Sequence, residues 1–181
     1  MNEVNINLRE KKISSEMKFQ GKVVKVRSDD VQLSDGKLGF REVVEHPGGV
    51  VIVPLTDDDK IILVKQWRYP INQELIELPA GKLEPGEDPY NSAMRELREE
   101  TGYVTEKLDS LGYIFSTPGF CNEKLYIYRA KNLKFVGTDL DEGEIIEPFI
   151  IDLKEAFSLI KAGKINDAKT IAAIMLALQM D

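Results

Sequence analysis

Apolar and polar positions alternate in pairs through the N-terminal part of the chain. Val24, Val26, Val31, Leu33, Leu38 and Phe40 carry the pattern, and the polar run Ser34-Asp35-Gly36-Lys37 has the chemistry of a hairpin turn. This predicts a small antiparallel sheet. Two β-branched runs follow, Val50 to Leu55 and Ile61 to Gln66, and Asp57-Asp58-Asp59 between them predicts a second hairpin. The period then changes. From Asp88, a capping residue followed by Pro89 at the first helical position, Tyr90, Ala93, Met94 and Leu97 recur at helical spacing until Gly102, a natural stop. Leu108 to Phe115, Lys124 to Ala130 and Glu144 to Ile151 read as further strands. The last two are separated by an acidic loop that carries a glycine. Two closing helices have apolar faces of Leu153, Ala156, Phe157 and Ile160 behind a capping Asp152, and of Ile171, Ile174, Met175 and Leu178. The sum is an α+β fold: a mixed central sheet flanked by helices in α-β-α layers, with a small N-terminal antiparallel sheet.

Composition narrows the field. The 181 residues suffice for a sizeable core, with 43% hydrophobic and 30% charged residues. No repeat or linker-like tract divides them, but residues 1–45 read as a distinct β region before a main domain at 46–181. A net charge of -7 argues against nucleic acid or an anionic membrane as partner, since both demand clustered Lys and Arg. Any phosphate ligand must be held locally. The single Cys121 forms no disulfide within the chain, no signal-type or membrane-spanning run is present, and a reducing cytoplasm is the expected location.

The chemistry concentrates after Gly81. Glu96, Glu99 and Glu100 fall within an arc of about 100° on the first helix, and Glu84 and Glu87 precede them. Carboxylates so crowded repel one another, and a bound divalent cation reverses the sign. Oxygen donors without nearby His or Cys suit a hard ion, magnesium with manganese as substitute. Taken alone, Arg95-Glu-Leu-Arg-Glu-Glu100 is more simply a solvated helix face laced with ion pairs. The wider spacing changes that balance. Gly81, five residues, Glu87, seven residues, then Arg95-Glu96-Leu97, Glu99, Glu100 and Gly102 resembles the Nudix box, with Tyr103 in place of its final aliphatic residue.

This resemblance implies a Nudix fold in which Glu96, Glu99 and Glu100, together with the Ala80 carbonyl, ligate the metal. Arg95 and Glu87 would pair and orient those ligands. Pro118, sixteen residues after Gly102, looks like the marker of the ADP-ribose pyrophosphatase branch. Lys65-Gln66-Trp67-Arg68-Tyr69-Pro70 and Glu77-Leu78-Pro79-Ala80-Gly81 resemble its approach to the box. The branch implies magnesium-dependent cleavage of ADP-ribose to AMP and ribose 5-phosphate. Other nucleoside diphosphate sugars, dinucleoside polyphosphates and a non-cutting nucleotide sensor stay as alternatives. It further implies that Arg68, with Arg41 as a weaker candidate, contacts the substrate, that Gly119 and Phe120 line the ribose side, and that Glu142 or Glu144 in the acidic loop is the general base. A homodimer in which residues 1–45 help form the partner's site completes the expectation. Trp67 is either a stacking platform for adenine or, more simply, core or interface packing. His46 reads as a loop residue. The acidic loop is no EF-hand, because the twelfth position from Asp139 is Ile150.

Overall fold

A computed structural model describes residues 7–140, 143 and 145–178. The chain divides into two compact units, residues 1–47 with 117–123, and residues 48–116 with 124–181.

The first unit is an antiparallel sheet of β1 (Lys11–Gln20), β2 (Lys25–Gln32) and β3 (Leu38–Glu45), in that order. The hairpin expected at Ser34–Lys37 joins β2 to β3. Gly36 takes a positive φ of 87° there, a conformation that only glycine adopts without strain. β1 escapes the sequence pattern because all ten of its residues are exposed, so no buried face imposes alternation. Ser14 and Ser15 hydroxyls donate to Asp30 and Asp29 across the β1–β2 pair. The 117–123 segment is held to β3 by bonds from Val44 N–H to the Phe120 carbonyl and from Asn122 N–H to the Val44 carbonyl.

The second unit carries the helices. β4 (Gly49–Pro54) lies between β7 (Ala80–Lys82), antiparallel, and β10 (Lys124–Ala130), parallel; β9 (Leu108–Phe115) completes the order β7-β4-β10-β9. A second sheet runs β12-β5-β6, from β12 (Ile146–Asp152), β5 (Lys60–Arg68) and β6 (Gln73–Glu77), and β8 (Tyr103–Val104) pairs with β11 (Lys134–Phe135). The expected hairpin of β4 with β5 does not form. The turn between them is present, closed by Thr56 N–H to the Lys60 carbonyl, but the strands share only a Leu55–Ile61 bridge and enter different sheets. All six β4 residues are buried, as for a strand covered on both faces, and such a strand takes its partners from distant chain.

β4 separates two apolar layers. Val50 and Ile52 face α1 (Pro89–Thr101), meeting Ala93 and Leu97, with Tyr90 and Met94 packed at the margin as expected. Val51 and Val53 face the other way, toward Ile61, Leu63, Ile127 and the apolar sides of α2 (Leu153–Lys161) and α3 (Ala168–Leu178). Fully burying a side chain such as Leu97 stabilises by about 1.5–3 kcal/mol. Two helix expectations are corrected. Asp152 stands at the N-cap of α2 without a side-chain capping bond. In α3 the buried stripe is Thr170, Ala173, Ile174 and Ala177, whereas Met175 is 46% exposed. Small residues let this helix approach the sheet closely, so the bulkiest side chains do not define its inner face.

Candidate active site

The site is assembled by β6, β7 and α1. β6 ends at Glu77, and Leu78 and Pro79 run through the core to β7. Register with β4 (Val50 opposite Gly81, Val51 opposite Ala80) and a bond from Ile52 N–H to the Pro79 carbonyl fix this segment beneath α1. α1 begins where the sequence predicts. The Asp88 carboxylate accepts from Tyr90 and Asn91 N–H at 3.1 and 3.2 Å, and Gly102 ends the helix at φ 74°.

The glutamates converge on the β7 backbone. Buried Glu100 accepts from Ala80 N–H at 3.0 Å. Glu96 lies against Gly81 so closely that a Cβ added there would fall 1.8 Å from its Oε1 and 1.9 Å from its Cδ; only glycine leaves room for this carboxylate. Arg95 ties the remainder. Its Nε and Nη2 donate to Glu87 at 3.0 and 3.2 Å, and its Nη1 reaches Glu99 and Glu96, both at 2.8 Å. Glu87 in turn accepts from Glu84 N–H. The Arg95 bond, with burial opposing and the Glu84 amide helping, holds the Glu87 carboxyl below the usual glutamate range. The Glu87 bond, despite burial and helped by Glu96 and Glu99, raises Arg95 above its ordinary value.

A hard cation fits this arrangement by its chemistry. The donors are all oxygen, and the glycine cradle brings the Glu96 carboxylate onto the same backbone turn as Glu100. Among the described residues no three His, Cys, Asp or Glu groups converge as a ready-made cage. Magnesium characteristically relies on few carboxylates together with substrate phosphates, so an open donor set suits it.

Arg68, at the end of β5, is gripped side-on by Glu77: Nε to Oε1 at 2.7 Å and Nη2 to Oε2 at 2.6 Å. Glu77 is 0% exposed. Burial pushes its carboxyl up, but Arg68 and Lys169 outweigh that and hold it below its ordinary value. The Glu77 bond likewise raises Arg68 against burial, with further contributions from the charges of Asp167 and Glu100. Lys169, on the first turn of α3, donates to both Glu77 and Asp167.

The structure thus places Glu96 and Glu100 against Gly81 and Ala80, ties Glu99 to Glu96 through Arg95, and leaves Arg68 within the electrostatic reach of Glu100. Arg41, Gly119 and Phe120 lie in the first unit; Arg41 there pairs with Glu10, and space around Gly119 is open. Glu142 and Glu144 lie outside the described residues. The chain entering their loop is docked on α1, with Asp139 N–H donating to the Glu99 carbonyl at 3.2 Å and Val136 N–H to that of Gly102. Trp67 is 55% exposed and belongs to no core cluster. Sequence reasoning missed the roles of Glu77, Asp167, Lys169 and Thr170. A charged residue closing the apolar run Leu75-Ile76 and the cap-like spacing of Asp167 to Thr170 were the available signals.

An acidic helix whose Glu96 and Glu100 lie against the β7 backbone defines an oxygen-donor class of site, whose chemistry suits a divalent cation. A Nudix-domain family model matches residues 45–174, and one described as the nucleoside diphosphate sugar hydrolase N-terminal domain matches residues 10–44. The chain belongs to the Nudix family and is a hydrolase of that family. It is 42% identical over 170 residues to the ADP-ribose pyrophosphatase of Bacillus subtilis (strain 168), covering 93% of this chain and 92% of that one. The methanol dehydrogenase activator of Bacillus methanolicus is 44% identical over 167 residues, covering 91% and 90%. A solved structure described as ADP compounds hydrolase superposes with a TM-score of 0.83 at 25% identity, over 96% of this chain and 95% of that one.

Proposed function

We propose that the protein hydrolyses the pyrophosphate bond of ADP-ribose, giving AMP and ribose 5-phosphate, with magnesium as its cofactor and manganese as a substitute. The observation that carries this reading is the approach of Glu96 and Glu100 to the Ala80–Gly81 backbone, with Glu99 tied to Glu96 through Arg95. Glu96, Glu99, Glu100 and the Ala80 carbonyl would hold the ion, which when bound neutralises the bridging phosphate oxygens and lowers the pKa of water. Arg68 binds the diphosphate through the guanidinium edge that Glu77 leaves free, while Arg41, Gly119 and Phe120 serve the nucleoside and ribose ends. Glu142 or Glu144 takes the proton from the attacking water. The water oxygen forms a new P–O bond, the bridging P–O bond breaks, and two phosphate monoesters leave.

A homodimer built through residues 1–45 and a cytoplasmic location belong to the same reading. The exposed apolar side chains Ile13, Met17 and Phe19 along β1 support the first, and the single cysteine supports the second. The test is incubation with ADP-ribose, ADP-glucose or a diadenosine polyphosphate, with and without magnesium, and chromatography of the products. Magnesium-dependent release of AMP from ADP-ribose is the expected result. Preference for another compound overturns the substrate assignment, and binding without cleavage identifies a sensor. A second reading rests on the 44% identity to the methanol dehydrogenase activator: stimulation of an alcohol dehydrogenase on addition of this protein would favour it.

A further inference from the structure

Glu77 is a fully buried carboxylate shared by two cations, one near in the chain and one distant. Arg68 occupies both its oxygens, and Lys169 approaches Oε2 from α3, 92 residues away in sequence. The arginine grip uses Nε and Nη2, and Nη1 makes no hydrogen bond to any described residue. One edge of the fork is therefore fixed and the other available. α3 is locked to the same segment a second time. Asp167 caps it, accepting from Thr170 N–H at 3.0 Å and from the Thr170 hydroxyl at 2.7 Å, and the Thr170 oxygen accepts from Leu78 N–H at 2.9 Å. The first turn of α3 thus holds both Glu77 and the strand that runs on to the Ala80–Gly81 cradle.

We propose that Lys169 is a positioning residue for substrate: acting through Glu77, it holds the Arg68 guanidinium with its free edge toward the diphosphate. The two-point contact fixes Glu77 and Arg68 relative to each other, a second cation at Oε2 fixes that pair relative to α3, and a fork aimed within a fraction of an ångström is what phosphate recognition requires. Lys169 itself touches no substrate. The inference rests on the assignment of Arg68 to the diphosphate, but not on which nucleoside diphosphate compound is cut.

Two measurements test it. In kinetics, K169M raises KM about tenfold with kcat little changed, K169R restores most of the loss, and the effect vanishes in an R68M background because the two residues act through one contact. Equal losses in both backgrounds, or a fall in kcat alone, overturn the proposal. If ADP-ribose is not cut but another nucleoside diphosphate compound is, the substrate reading falls and the same cycle on that compound still decides. The second measurement needs no turnover: the Arg68 Nε–H resonance, assigned by its absence in R68K, is protected from exchange in the ligand-free wild type and in K169R, and loses protection in K169M. Wild-type protection in K169M overturns the inference whatever the activity. Should K169M fail to fold, K169Q is judged by the same two criteria.

Discussion

At Glu100 the carboxylate is buried and spends one oxygen on the Ala80 amide. Glu100→Gln preserves shape and that acceptor while removing the charge a divalent ion requires. Turnover is expected to fall about 100-fold with the thermal midpoint little changed, checked by magnesium titration of the rate and a melting curve. Gly81→Ala acts from the opposite side of the same contact. Its methyl group takes the place of the Glu96 carboxylate, so the metal concentration for half-maximal rate should rise well beyond any change in urea midpoint. Glu77 governs the pH response of stability. Its carboxyl is held below the ordinary value of 4.5, so its pairing contributes fully above that value and is lost as pH falls through the lower folded value. Urea unfolding between about pH 3 and 7 should show this slope in the wild type. Glu77→Gln should flatten it and cost about 3 kcal/mol at neutral pH, since Arg68 then loses its carboxylate and Lys169 keeps only Asp167.

Among the elements, α1 is the one most legible in the sequence. Its cap, its proline, its apolar face and its terminal glycine all lie between Asp88 and Gly102 and depend on nothing distant. Asp88→Ala should lower stability by about 1 kcal/mol, measured by urea denaturation, and leave kcat near wild type. The same local logic gave the β2–β3 turn and the main strands, and it placed Glu96, Glu99 and Glu100 on one helix. It failed where partners are chosen at long range. β4 and β5 have the hydrophobic pattern of strands, but only burial on both faces decided that each would join a different sheet. The α3 face was misjudged by counting bulky residues, although close approach to the sheet favours Ala173 and Ala177. The Arg68–Glu77–Lys169 network was illegible because its members lie on three elements with no common spacing.

For the whole molecule, the expected dimer has a direct test. Sedimentation should give twice the mass of the 181-residue chain, and deletion of residues 1–45 should yield monomers with impaired turnover; a full-length monomer with full activity would discard the dimer.

The wide sequence separations within the second unit also bear on when the site comes into being. β4 gains its parallel neighbour only from residues 125–130, and Glu77 meets Lys169 only when α3 has been made. Such non-local pairings are slow to form, since the loops they close are long. A chain emerging from the ribosome therefore displays the acidic α1 well before the contacts that organise it. Hydrolytic competence should arrive in one late step, after residue 169 is clear of the exit tunnel, and chains stalled short of it should bear the whole sequence motif yet be inert.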